Sequence, residues 1–191
     1  MAKRPVKVKE KWKGKEWYQI LAPKTFNNMV IGETPSLDPK IVSGRVIETS
    51  LMDLTGETRK YYMKLYFKIS DIDGSKAMTK YFGHTTTRDY IARIVQIRTT
   101  RVDTNNILNL RDARIRLKAI VICNRNVSNL VKKAVRKAAS DMIKEKVQKM
   151  NTDEFIKAMV SGKLQIELKK ELNKVYPTRF FEIRKTEVIK N

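Results

Sequence analysis

RKYYMKLYFKISDIDGSKAMTKYFG, residues 59–83, is the stretch that decides the fold. Its first half alternates. Tyr61, Met63, Leu65, Phe67 and Ile69 fall on one side of an extended chain, and Tyr62, Lys64, Tyr66 and Lys68 fall on the other. A period of two with one apolar face marks a strand lying on a core. DIDGS (71–75) then supplies the Asp-Gly pair of a tight hairpin turn, and KAMTKYFG (76–83) is the returning strand. The centre of the chain is therefore an antiparallel hairpin.

Upstream, WYQIL (17–21) is short, aromatic and apolar, and Pro23 stops it, so it reads as a strand. TPSLDP (34–39) reads as a loop by its prolines. IVSGRVIETS (41–50) reads as a strand with Gly44 at a bulge or close approach, and DLTGE (53–57) carries turn chemistry. Downstream, TTTRDYIARIVQ (85–96) changes period. Tyr90, Ile91, Ile94 and Val95 recur at helical spacing behind a threonine able to cap the start. RTTRVD (98–103) reads as a strand and NNILN (105–109) as a turn. DARIRLKAIVICN (112–124) is a long strand with Ile115, Leu117, Ala119 and Val121 on one face and Arg114, Arg116 and Lys118 opposite.

From residue 128 the pattern is helical. SNLVKKAVRKAASDMIKEKVQKM (128–150) places Leu130, Val131, Ala134, Val135, Ala138, Met142 and Val147 on an apolar side. NTDE (151–154) caps a second helix over 153–160, which Gly162 ends. A third helix over 162–177 is closed by Pro177. RFFEIRKTEVIK (179–190) returns to strand, with Phe181, Ile183 and Val188 on its packed side. The expected class is α+β: an antiparallel, curled or barrel-like sheet with one inserted helix and a C-terminal helical cluster. The expected organisation is a flexible basic tail over 1–15 and a single domain over 16–191. That domain is β-rich over 16–124 and helical over 127–176, with a final strand over 178–190.

Charge narrows the function. The 191 residues hold 41 Lys and Arg against 20 Asp and Glu, a net charge of +21. Hydrophobic residues make up 41%, enough for a core, so this is not a disordered polycation. Such an imbalance drives association with a polyanion, and nucleic acid fits best because bound Lys and Arg release condensed counterions. A membrane surface is the weaker reading, since no basic helix here carries large apolar anchors. The ends, Met1-Ala2-Lys3 and Lys190-Asn191, carry no lipidation signal, and no apolar run approaches the length of a membrane span. The one cysteine, Cys123 in AIVICN, cannot form an internal disulfide and is expected as a small buried hydrophobe in a reducing, intracellular compartment.

Catalytic chemistry is sparse. His84, the one histidine, is expected in a turn or at the surface. Asp71 and Asp73 offer a possible cation pair, but Asp-x-Asp-Gly in a hairpin is ordinary turn chemistry. No phosphate-loop or dinucleotide glycine pattern occurs. No catalytic residue, metal ligand, cofactor or small-molecule substrate is expected. Two other readings share the charge: a free RNA- or DNA-binding regulator or chaperone, and a nucleic-acid enzyme using His84 or the Asp71/Asp73 pair.

Several segments together resemble a known family. KEWYQILAPKTFN (15–27), GRVIETSLMDLTG (44–56), GHTTTRD (83–89), and VYP followed by EIRKTEVIK (175–190) are similar, in this order, to the archaeal and eukaryotic small-subunit ribosomal proteins called S-three-a-e, or e-S-one. The compact length resembles an archaeal member. The resemblance implies a structural constituent of the small ribosomal subunit, ribosome-bound in the cytoplasm, on the platform near the mRNA exit and the rRNA 3′ end. It implies small-subunit rRNA and neighbouring ribosomal proteins as partners, with mRNA near the exit as a further candidate. It assigns no individual rRNA contacts, so the candidate residues rest on charge and position. They are Lys3, Arg4, Lys7, Lys9, Lys11, Trp12, Lys13 and Lys15 of the tail, together with Lys24, Arg45 and Arg125. The helix over 128–150 adds Lys132, Lys133, Arg136, Lys137 and Lys144. Residues 125–149 hold eight basic side chains against two acids, too one-sided a mixture for a helix stabilised by its own ion pairs. Trp17, at the start of a strand, is expected in the core, and Trp12 is the better candidate for stacking on a base.

Overall fold

The computed structural model describes residue 12 and residues 14–190. The 59–83 hairpin forms as its alternation dictates. Strands β4 (Met63–Asp73) and β5 (Lys76–Thr86) pair antiparallel about a two-residue turn, and Met63, Leu65, Phe67 and Ile69 are all buried. β1 (Glu16–Leu21) and β2 (Val30–Ser36) form a second hairpin. β6 (Thr100–Asn109) and β7 (Arg114–Cys123) form a third. β3 (Val46–Ser50) pairs with β4, and the last strand, β8 (Thr178–Lys190), enters between β5 and β7.

The sheet is mixed and open. β1 runs parallel to β5 over Gln19–Leu21, which departs from the all-antiparallel expectation. No ladder among the described residues joins β6 to β2 or β3, so the expected curl does not close into a barrel. β5 is the branch point. β4 pairs with nearly its whole length on one edge, while β1 takes residues 76–78 and β8 takes residues 83–85 on the other.

Six α-helices accompany the strands among the described residues: α1 (Pro39–Val42), α2 (Leu51–Thr55), α3 (Arg88–Ile94), α4 (Asn129–Val147), α5 (Thr152–Ser161) and α6 (Lys163–Leu172). Four local readings are corrected. TPSLDP is not a plain loop. Thr34–Ser36 belong to β2, where Pro35 is tolerated because β2 is an edge strand. The stretch 41–50 is split by α1 and by Gly44 at φ 87°, so only its second half is strand, and the turn expected over 53–57 is the end of α2 with Gly56 as its left-handed cap. NNILN is strand rather than turn. β7 pairs with β6 without interruption from Thr100–Cys123 to Asn109–Arg114, and that ladder outweighs the turn preference of asparagine.

Helices cover both faces of the sheet at β7. Ala119 and Val121 face the main core with Val135, Ala139, Ile143 and Val147 of α4 and with apolar side chains of α5 and α6. Ile120 and Ile122 face the other way and pack against Ile91 and Ile94 of α3. A strand with apolar residues on both faces must be covered twice. The buried row of α4 recurs every fourth residue, which rotates the helix from the expected register and leaves Leu130 79% exposed. Asp112, in the β6–β7 turn, accepts from the Thr152 backbone N–H (3.0 Å) and hydroxyl (2.9 Å), anchoring α5 to the sheet.

The β5–β8 join is close-fitting. A Cβ at Gly83 would lie 2.3 Å from the Thr186 carbonyl oxygen, so only glycine lets the strands approach. His84 is fully buried in this join, contrary to the turn or surface position expected for it. Its Nε2 lies 3.0 Å from the Ile183 carbonyl, which can only accept, so Nε2 carries the proton. Nδ1 then accepts from the Thr186 hydroxyl at 2.7 Å. The Thr186 oxygen in turn accepts from the Tyr81 hydroxyl (2.6 Å) and the His84 N–H (3.2 Å). Every polar atom of this buried cluster is satisfied with the imidazole neutral. Burial pushes the His84 pKa down to about 4, against the smaller opposing effect of its bond to Ile183.

The neutral imidazole stabilises the fold fully above its unfolded pKa near 6.5, and this contribution is lost as pH falls from there through about 4. The loss approaches about 3 kcal/mol at the acid end. Denaturant unfolding from pH 7.5 to 4 is expected to show this slope in the natural protein and not in His84→Gln. Parallel curves for the two proteins would contradict the buried neutral histidine.

Candidate nucleic-acid interface

Positive charge on this molecule is mostly uncompensated. The ion pairs among the described residues use only Lys60, Lys64, Arg101, Arg116, Lys146 and Lys185 as cations. Lys146 is structural: half-buried on the inner side of α4, it reaches Glu167 (3.2 Å) and Glu171 (2.8 Å) and ties α4 to α6. The other cations must be sorted by where the elements aim them.

α4 gives the clearest row. Its buried positions fix the opposite face outward, and Lys133, Lys137 and Lys144 are exposed there. At 100° per residue the three fall within about 40° of one another, along roughly 17 Å of helix. That is the reach of about five phosphates along one strand of a duplex. Arg136 lies on the flank of the row and donates from Nε to the Asp103 carbonyl of β6 (3.1 Å), which fixes the helix over the sheet edge. Lys132 is half-buried, and Arg125 is exposed in the loop leading into the helix. Asp141 stands four residues after Lys137 and three before Lys144, beside the row, and no ion pair among the described residues joins it to either.

A second group lies at β1 and β2. Arg45 donates to the Thr34 hydroxyl and to the Pro35 carbonyl (3.2 Å), so its guanidinium is partly used to hold β2. Pro35 is the register partner of Trp17, which is 56% exposed rather than in the core. Tyr18 and Ile20 take the inward positions of β1, and the strand alternation turns Trp17 out. Lys15 rests its ammonium 4.2 Å from the ring centre of Trp12, itself exposed. Lys24 stands apart, exposed in the 3-10 turn Lys24–Phe26, whose Thr25 bonds Asp153 of α5 at 2.8 Å. Lys3, Arg4, Lys7, Lys9, Lys11 and Lys13 lie outside the described residues. The candidates thus form two surface groups and one outlier rather than a single site.

No alternative chemistry gains support from geometry. His84 has both ring nitrogens engaged and no solvent access, so it cannot act as a base on a bound substrate. Asp71 and Asp73 sit exposed at the end of β4, and no group of three or more metal-ligating side chains occurs among the described residues. Cys123 is buried, as expected of a small apolar side chain. No helix among the described residues is long and apolar enough to cross a membrane. Sequence reasoning missed the arginines around α3. The available signal was Ile120 and Ile122, apolar residues on the face of β7 read as basic and solvated.

Comparison with known proteins gives one consistent answer. The model of the ribosomal S3Ae family matches residues 3–191. A relative from Methanocaldococcus jannaschii, named small ribosomal subunit protein eS1, is 37% identical over 184 residues, 96% of this chain and 83% of its own. Proteins of the same name from Staphylothermus marinus and Methanobrevibacter smithii are each 35% identical over 189 residues. Both cover 98% of this chain, and 89% and 98% of their own length respectively.

Replacing Lys133, Lys137 and Lys144 by Gln together is expected to leave folding intact, since all three are exposed. Binding to a duplex RNA should weaken, and the salt dependence of binding should flatten by roughly one power per lost phosphate contact. Affinity measured by fluorescence anisotropy from 50 to 300 mM salt checks this. An unchanged slope would remove the α4 row from the interface.

Proposed function

The chain belongs to the ribosomal S3Ae family, and on that premise we propose that it is a structural constituent of the small ribosomal subunit that binds rRNA through its basic surface. The observation that carries this reading is the outward row on α4, with free cations aligned on one face of a helix whose other face is locked into the core. The physics is that of phosphate and shape recognition. Ammonium groups in a row neutralise a phosphate backbone without reading bases. The role is architectural rather than catalytic, in keeping with the family. Its natural location is the ribosome, in the cytoplasm.

The finer placement is also proposed. The family resemblance supports a position on the platform near the mRNA exit and the rRNA 3′ end, with neighbouring ribosomal proteins as partners and mRNA as a further contact. The RNA-facing residues would be the α4 set of Lys132, Lys133, Arg136, Lys137 and Lys144, with Arg125 beside it. The tail cations and Trp12, Lys15, Lys24 and Arg45 complete the set. Seven of the first fifteen residues are basic and one is acidic, which suits an arm threading between RNA segments. A single body over 16–191 carrying this arm remains the proposed organisation.

Gradient sedimentation of a cell extract tests the reading. The protein is expected at one copy per small subunit and is expected to stay there through moderate salt. Recovery at the top of the gradient under physiological salt would move the function to a free RNA-binding regulator.

A further inference from the structure

The face of the sheet opposite α4 carries a second concentration of cations. α3 lies across this face, with Ile91 and Ile94 packed on Ile120 and Ile122 of β7. Between α3, β6 and β8 runs a groove of about 440 Å³ lined by Arg88, Ile91, Ala92 and Val95 of the α3 segment, Arg101 of β6 and Arg184 of β8. All three arginines are exposed, and Arg88 and Arg184 have no carboxylate within ion-pair distance among the described residues. Arg101 holds Asp103 at 2.9 Å, and Glu182 of β8 accepts from the Tyr90 hydroxyl of α3 at 3.1 Å. At the foot of α3, Arg98 adopts a left-handed backbone (φ 66°) next to Ile97, which is 93% exposed. Arg179 lies 5.6 Å from the ring of Phe180 nearby on β8.

This groove presents three guanidinium groups, and the nearby carboxylates of Asp103 and Glu182 are already engaged. A peptide settling into it would bury backbone N–H groups without partners, a cost that disfavours it. The β8 backbone beneath is already committed to β5 and β7. A sugar–phosphate strand presents the opposite chemistry: its phosphates only accept, guanidinium groups take them two oxygens at a time, and the apolar side chains of α3 suit a ribose. The groove and the α4 row lie on opposite faces of the sheet, because alternate residues of β7 contact α3 and α4. One duplex reaching both would have to bend around the β6 edge.

We infer that the Arg88–Arg101–Arg184 groove is a second RNA-binding surface, and that with the α4 row it makes this chain a bridge between two RNA segments. The inference rests on the RNA-binding reading above and extends it to a face that reading does not use. Its consequence is assembly: the folded body pins two RNA elements at a fixed separation, without help from the tail.

The test uses the full chain and two 20-base-pair RNA hairpins labelled with donor and acceptor dyes. The natural protein should bind both and give protein-dependent energy transfer, with a 1:2 complex by analytical ultracentrifugation. Arg88→Gln/Arg184→Gln should abolish transfer, keep binding to one hairpin, and flatten the salt slope by about two. Lys133→Gln/Lys137→Gln/Lys144→Gln should also abolish transfer while keeping one hairpin. Thermal melts establish that each variant is folded. If the arginine variant keeps both transfer and slope, the groove is not an RNA site and the inference falls while the α4 reading stands. If it keeps the RNA slope but loses binding to a poly-glutamate peptide, the groove serves an acidic protein partner and the inference is overturned. If the natural protein binds neither hairpin, the RNA reading itself fails and takes the inference with it.

Discussion

The insertion of β8 between β5 and β7 is the constraint on which the rest of the structure depends. Without it no ladder would join the β6–β7 hairpin to the sheet of β1–β5. The join to β5 spans only Gly83–Thr85 against Lys185–Glu187, so its few residues must fit closely. Gly83 permits the approach, and the buried Tyr81–Thr186–His84–Ile183 cluster satisfies every polar atom there. Along its other edge β8 pairs with nearly all of β7. Its β5 partners are about a hundred residues away in sequence and its β7 partners 55 to 76, so both ladders must offset the entropy of closing long loops.

Charge and core are built on the same division. The interior polar groups are neutral: threonines, one histidine held uncharged by burial, and tyrosines whose hydroxyls are pushed to higher pKa by desolvation. Glu182 is the partial exception. Burial raises its pKa, and the Tyr90 hydroxyl, at 3.1 Å, partly offsets this. Tyr90 stacks on Tyr62 at 3.8 Å, which closes the α3 side of the sheet with aromatic surface. The cations are thereby left at the surface, in rows set by secondary structure. A net charge of +21 opposes folding in isolation, and the same repulsion becomes favourable association once a polyanion lies against those rows.

Much of this was legible in the sequence because the signals were local. The β4–β5 hairpin, the inward residues of β7, the caps of α5 at Asn151 and Gly162, and the packed side of β8 all follow from period and turn chemistry. The misses were non-local. Only the β6–β7 ladder turns NNILN into strand, only an edge position allows Pro35 in β2, and only the parallel contact with β5 makes the sheet mixed. His84 looked like a turn residue because Gly83 precedes it, when that glycine serves a backbone contact with a strand a hundred residues away. On α4, Lys133, Lys137 and Lys144 are exposed, while Lys132 is half-buried and Lys146 turns inward to Glu167 and Glu171. Arg88 and Arg184 were overlooked because α3 and β8 come together only in three dimensions.

The central claim is that the folded body, and not only a basic tail, carries the RNA. Ultraviolet cross-linking of intact small subunits followed by peptide mass spectrometry tests it most directly. The account predicts RNA-linked peptides from α4 around Lys133–Lys144 and from the α3 segment containing Arg88. Cross-links confined to the first fifteen residues, with none in the folded body, would contradict it.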